Sequence, residues 1–185
     1  MKRFTLFVAF VALMLSSVSC EKDPFNAFLD QKSYDPKAGL IVDFNPIQIG
    51  FIVTDGQGRN LFDESTPGNW LSEPLSATFD GRTFKGVHRY DWPGPETKAY
   101  LAELKGFYIY PSWYTQAEEV ILIFGEIDGA EKWDSDLTVS WPDGSKDVIR
   151  VQHALRWNAE GYPESYTGLK VNGRRIDGRT IRLTK

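Results

Sequence analysis

Residues 75–90 read LSATFDGRTFKGVHRY, and their pattern decides the fold class. Leu75, Ala77 and Phe79 alternate with Ser76 and Thr78 up to Asp80-Gly81, after which Thr83 to Tyr90 returns. Period-two alternation puts every second side chain on one face of a strand. Asp-Gly between two such runs is a strong hairpin signal, because glycine takes the positive φ that a tight turn demands. The same pattern spreads outward in both directions. Upstream, Ile47, Ile49, Phe51 and Val53 alternate and run into the turn Asp55-Gly56-Gln57-Gly58. Downstream, Val120-Ile121-Leu122-Ile123-Phe124 is a near-continuous apolar run, which suits a central strand covered on both faces. Leu137 to Val151 forms another hairpin about Pro142-Asp143-Gly144. Toward the end, Asn172-Gly173 and Asp177-Gly178 mark two turns before Ile181 and Leu183 alternate with Arg182 and Thr184.

Only 98–104 offers a short helical pattern, and no repeat or second linker is visible. The reading is therefore all-β: a single antiparallel β-sandwich over 47–185 with about seven to nine strands. A chain of this size buries roughly 70% of its unfolded surface, enough for one core without disulfide staples.

The N-terminus carries a different signal. Met1-Lys2-Arg3 is cationic, 4–15 is apolar apart from Thr5, and small residues lead to Cys20, the sole cysteine. An apolar stretch this short is a secretory signal peptide and not a bilayer span. The stretch Leu15-Ser16-Ser17-Val18-Ser19-Cys20 resembles the lipobox of bacterial lipoproteins, with Ser17 where leucine is usual. That resemblance implies signal peptide 1–19, a lipidated Cys20 and attachment to the outer membrane by acyl chains. Each buried methylene of such chains contributes about 0.8 kcal/mol. Glu21 in the second mature position fits outer-membrane sorting, and Glu21-Lys22-Asp23 resembles the charged tether of surface-exposed Bacteroidetes lipoproteins. Residues 20–46 then read as a tether leading into a loosely ordered N-terminal arm, with prolines at 24, 36 and 46 and no sustained period, although Phe25, Phe28 and Leu29 suit packing on the domain or one helical turn.

Composition excludes several classes. Of 185 residues, 42% are hydrophobic and 25% charged, so neither disorder nor a multi-pass membrane protein fits. With 21 basic against 25 acidic residues, nucleic acid is not an expected partner. One cysteine and two histidines leave no thiolate-rich zinc site. HExxH, GxSxG, Walker A and GxGxxG are all absent.

Four groups of residues remain as candidates for chemistry. Tyr108, Tyr110, Trp113 and Tyr114 are the candidate ligand contacts: alternation sends Phe107 and Ile109 to the core and Tyr108 and Tyr110 outward, and aromatic planes stack on sugars or anchor protein contacts. Carboxylates cluster at Glu126, Asp128, Glu131, Asp134 and Asp136; Asp128, Asp134 and Asp136 are the candidate ligands for Ca²⁺, against a solvated acidic loop, since the spacing is not that of an EF-hand. His88 and His153, or the acids of 126–136, would serve an envelope hydrolase, while a plain strand histidine is the simpler account of each. Finally, 165–185 holds six basic residues (Lys170, Arg174, Arg175, Arg179, Arg182, Lys185) against Asp177, a pattern suited to a solvated hairpin guarding a sheet edge or to contact with anionic lipopolysaccharide or an acidic glycan.

Taken with the lipobox, the stretch Phe51 to Phe62, the segment Thr66-Pro67-Gly68-Asn69 and the hairpin Ser140-Trp141-Pro142-Asp143-Gly144-Ser145 resemble small lipoproteins of unknown function from gut Bacteroidetes. Those proteins carry a D-x-x-G-N-D-L-L segment and a W-G-D-G hairpin, from which Arg59-Asn60 and Pro142 depart. The Trp-x-Asp-Gly hairpin is also similar to that of immunoglobulin-like polycystic-kidney-disease domains. The resemblance implies an immunoglobulin-like sandwich on a cell-envelope lipoprotein and transfers no catalytic residue. The expected role is a non-catalytic binding or accessory module for a glycan or envelope protein, with an envelope hydrolase as the alternative.

Overall fold

The computed structural model describes residues 22–89, 102–110 and 119–185, and the chain divides after Gln31 into two compact units. In the first, helix α1 (Pro24–Leu29) starts where the Asp23 carboxylate accepts the Phe25 N–H at 3.0 Å, with proline in the first turn where no N–H is needed. The second unit is built from strands, as the alternation requires.

Eleven strands are described in this unit, in two sheets. The first sheet contains β1 (Ile47–Thr54), β4 (Val87–Arg89), β5 (Gly106–Ile109), β6 (Leu122–Ile127) and β11 (Thr180–Thr184), in the order β11-β1-β6-β5-β4. The second contains β2 (Ser76–Phe79), β3 (Arg82–Lys85), β7 (Trp133–Ser140), β8 (Lys146–Trp157), β9 (Pro163–Val171) and β10 (Arg174–Ile176), in the order β10-β9-β8-β7-β2-β3. Three expected turns close hairpins as read. Asp80 and Gly81 have φ of 49° and 71° between β2 and β3; Asn172 and Gly173 have 48° and 83° between β9 and β10; Gly144 has 83° between β7 and β8.

The strand count exceeds the expected seven to nine, in part because one expected run breaks at a corner. The return from Asp80-Gly81 is not one strand to Tyr90. Gly86, at φ 73°, ends β3 in the second sheet, and β4 begins at once in the first. The bend after Ile176 does the same, sending β10 to the edge of one sheet and β11 to the edge of the other. Strands that switch sheets make the corners of a packed pair. The expectation of an antiparallel structure is corrected here too: β1 pairs with β11, and β4 with β5, in parallel. β11 is reached from β10 in the other sheet, and residues 90–105 separate β4 from β5, so neither parallel pair is joined by a tight hairpin.

Both sheets turn their apolar faces to one core. Phe124 of β6 meets Phe79 and Phe84 of the second sheet at ring-centroid separations of 6.0 and 5.5 Å, and Phe51 meets Trp141 at 5.7 Å. Edge-to-face rings at these distances add to the area they bury. The apolar run is indeed covered on both faces: Leu122 and Phe124 enter the core, while Ile123 is buried beside Tyr108 on the reverse. A register shift between Ile47 and Ile49 puts Gly125 and Glu126 together opposite Gln48, so that Phe124 and Ile127 both stay inward.

Two expectations about irregular segments meet the structure differently. No helix forms over 102–105, the described part of the 98–104 pattern's neighbourhood. The arm after Gln31, read as loosely ordered, is fastened: Tyr34 N–H donates to the Trp157 carbonyl at 3.0 Å, and Lys37 N–H to that of Gly161 at 3.0 Å. It lies so close that a Cβ on Gly129 would stand 2.2 Å from the Asn45 carbonyl oxygen.

Candidate functional site

Beyond β1 the chain reverses on itself and then builds one wall of a cleft. Asp55 accepts the N–H groups of Gln57 and Arg59 at 2.9 Å each, which closes the first turn. Asn60 then fixes the entry: its amide donates to the Val120 carbonyl at 2.7 Å and its side-chain oxygen accepts Phe62 N–H at 2.9 Å. In the following loop Asp63 accepts both the backbone N–H and the hydroxyl of Ser65 at 2.8 Å, and Asn69 donates to the Thr66 carbonyl at 3.1 Å. Short polar side chains that satisfy the backbone locally make such a loop rigid without regular structure. Phe62 and Trp70 tie it to the core through Trp141.

That loop faces β4 and the end of β5 across a cleft of about 700 Å³. Asp63, Glu64, Asn69 and Ser72 supply polar groups from the loop; Val87, His88, Arg89, Ile109 and Tyr110 form the opposite wall. Arg89 and Glu64 pair across it. A cleft of this volume, in which Phe62, Leu71, Val87, Ile109 and Val120 alternate with polar and charged groups, is large enough for a small ligand.

The aromatic candidates divide on burial. Tyr110 lines the cleft, and its hydroxyl accepts the Gln48 amide at 2.8 Å. Tyr108 does not present an open face as expected. It is 1% exposed, packed with Ile123, and stands edge-on to Tyr110 at 5.4 Å and 85°. The alternation placed it on the correct side of β5, but the reverse face of this sheet is itself covered, so Tyr108 supports Tyr110 from behind. Trp113, Tyr114 and Cys20 lie outside the described residues.

The acidic candidates are largely engaged with the protein's own groups. Arg150 on β8 pairs with Asp134 at 2.8 Å and Asp136 at 3.2 Å on β7, so these two carboxylates meet a guanidinium. Asp128 accepts Ala130 N–H in its own turn at 2.8 Å, and its carbonyl takes the Trp133 indole N–H at 2.7 Å. Among the described residues no three His, Cys, Asp or Glu side chains are grouped to hold a metal ion. Glu126 is buried on the bulge near Gln48; burial pushes its carboxyl above the ordinary 4.5, against the opposing Gln48 hydrogen bond.

The two histidines differ. His88 is exposed on β4 and lines the cleft. His153 is 4% exposed and held at both ring nitrogens, by the Thr167 hydroxyl at 2.8 Å and the Gly129 carbonyl at 2.9 Å. A carbonyl only accepts, so Nε2 carries the proton and Nδ1 accepts from Thr167. Burial holds the ring below its ordinary pKa, which keeps it neutral. It packs as a core residue.

One group escapes a reading by motif. Asp147, 6% exposed, accepts the Trp141 indole N–H at 2.7 Å, the Asn172 amide at 2.7 Å and the Lys185 ammonium at 2.6 Å. Asn172 in turn accepts Val148 N–H at 2.9 Å. The signal was available in the alternation: Asp147 shares its face with Ile149 and Val151, so an acid points inward. Its role is to lock the β7–β8 hairpin, the β9–β10 turn and the last strand together.

Comparison with family models, with curated proteins and with solved structures finds no match.

Proposed function

We propose that this chain is a non-catalytic binding module of the bacterial cell envelope, acylated at Cys20, attached to the outer membrane, and built on an immunoglobulin-like sandwich. Its cleft takes a ligand such as a glycan, or a segment of an envelope protein. The observation that carries this reading is the cleft between the 62–72 loop and β4–β5, with Tyr110 braced by Tyr108 and Gln48 in one wall. The buried or clustered polar groups elsewhere are committed: His153 at both nitrogens, Asp134 and Asp136 to Arg150, Asp147 to Lys185. That pattern suits binding better than turnover. The hydrolase alternative retains His88, the one residue named for it that lines the cleft.

Two measurements test the reading. Mass spectrometry of the protein purified from its native envelope gives an acylated Cys20 as the first residue; a free thiol there removes the anchor. On a glycan array and in an envelope pull-down, a captured ligand binds about tenfold more weakly after Tyr110→Ala, the loss of roughly one aromatic contact. Unchanged affinity in that variant, or no ligand from either screen, counts against the cleft. Consumption of the ligand that stops on His88→Ala favours the hydrolase.

A further inference from the structure

The arginines of this protein are used unevenly. Arg59 pairs with Asp55, Arg89 with Glu64, Arg150 with Asp134 and Asp136, Arg156 with Glu164, and Arg182 with Glu119. Arg82 donates to the Leu104 carbonyl and lies over the Phe84 ring. Arg174, Arg175 and Arg179 are exposed, and their side chains make no hydrogen bond or ion pair among the described residues. All three fall within six residues of one another in a chain with 25 acidic against 21 basic residues. They lie where β10 closes the edge of one sheet and the chain bends toward β11 at the edge of the other. Asp177 is the one acid within 165–185. Register sets Arg175 directly opposite Lys170 on β9, which is itself opposite Arg150 on β8.

We infer that this arginine-bearing corner is a docking edge for a membrane surface of anionic headgroups. Successive residues of a strand point to opposite faces, so Arg174 and Arg175 splay to the two sides of β10, with Arg179 on the bend beyond. A linear polyanion lying along one side meets only part of this set. A planar array of headgroups laid against the edge meets all three. The inference stands on this edge alone and is independent of what the cleft binds.

The test is vesicle flotation with the full chain, on vesicles of phosphatidylglycerol with phosphatidylethanolamine and on vesicles of phosphatidylcholine. A variant carrying Arg174→Gln, Arg175→Gln and Arg179→Gln keeps the same N-terminus, so any attraction of the leader cancels. Each basic side chain near an anionic surface contributes about fivefold in binding, so the triple variant loses on the order of a hundredfold on the anionic vesicles. It changes nothing on phosphatidylcholine. Replacement of the same three residues by lysine restores binding, and added salt weakens it for the wild type. Equal binding of wild type and glutamine variant to anionic vesicles overturns the inference. So does arginine-dependent capture by dextran sulfate with no arginine dependence on vesicles, which would assign the edge to an acidic polysaccharide.

Discussion

Replacing Asp147 by alanine destabilises the protein by about 3–5 kcal/mol, read as a fall in the denaturant midpoint at unchanged slope. The size follows from what remains behind. Lys185, with an 11% exposed side chain, is left as a nearly buried cation, and the Trp141 indole and the Asn172 amide lose their acceptor. Removing one partner of a buried pair costs far more than the pair is worth intact. The loss also has a pH signature. Burial raises the Asp147 pKa, but hydrogen bonds from Lys185, Asn172 and Trp141 outweigh it, and the folded value lies below the ordinary 3.8. Its contribution is therefore complete above 3.8 and fades as the pH falls from there toward the depressed folded value. In the alanine variant that part of the acid limb is missing. A midpoint within about 1 kcal/mol of wild type would show that the three elements hold together without this carboxylate.

His153→Ala costs about 2–4 kcal/mol, through a cavity and two polar groups, one buried and one half-buried, that lose their partner. Those groups are the Thr167 hydroxyl and the Gly129 carbonyl. The histidine sets a second acid dependence, at higher pH than that of Asp147. In the unfolded chain the ring takes up a proton near 6.5, whereas burial keeps the folded ring neutral to lower pH. The unfolded state then binds more protons below 6.5, so stability declines on acidification from that point. Chemical denaturation of the wild type at a series of pH values between neutral and mildly acid gives this slope. His153→Ala removes it while the slope below 3.8 persists. Glu126 works in the opposite sense: its raised pKa means stability falls as the pH climbs past 4.5. A His153→Ala profile with the same slope as wild type between neutrality and pH 5 would contradict the neutral, doubly bonded ring.

How much was legible varies by feature, for identifiable reasons. Alternation and turn chemistry are local, so Ala77, Phe79, Leu122, Phe124, Val139 and Val151 were readable as core and three turns as hairpins. Gly86 was not readable as a corner. A glycine between two β-rich runs is the same symbol whether the strand continues, bulges or changes sheets, and the outcome depends on which neighbour each half finds. The cleft was half visible. Tyr110 was readable, but Asp63, Asn69 and Ser72 opposite it are supplied by a loop distant in sequence, and Arg89 beside it by β4. The acidic run 126–136 looked like one cluster and separates in space, because strand alternation and a bulge divide its members among the buried bulge at Glu126, the turn at Asp128 and the Arg150 ion pairs.

Short-range patterns of polarity, glycine and turn residues were enough to specify strands, hairpins and an all-β class, because those choices are made between residues only a few positions apart. The order of strands in each sheet, the two corners, the burial of Tyr108 and the pairing of Asp147 with Lys185 belong to the folded molecule. They join residues up to more than a hundred positions apart, as between β1 and β11. Contacts across such separations are chosen by shape and by the cost of burying an unpaired charge, quantities that exist only once both partners have been brought together.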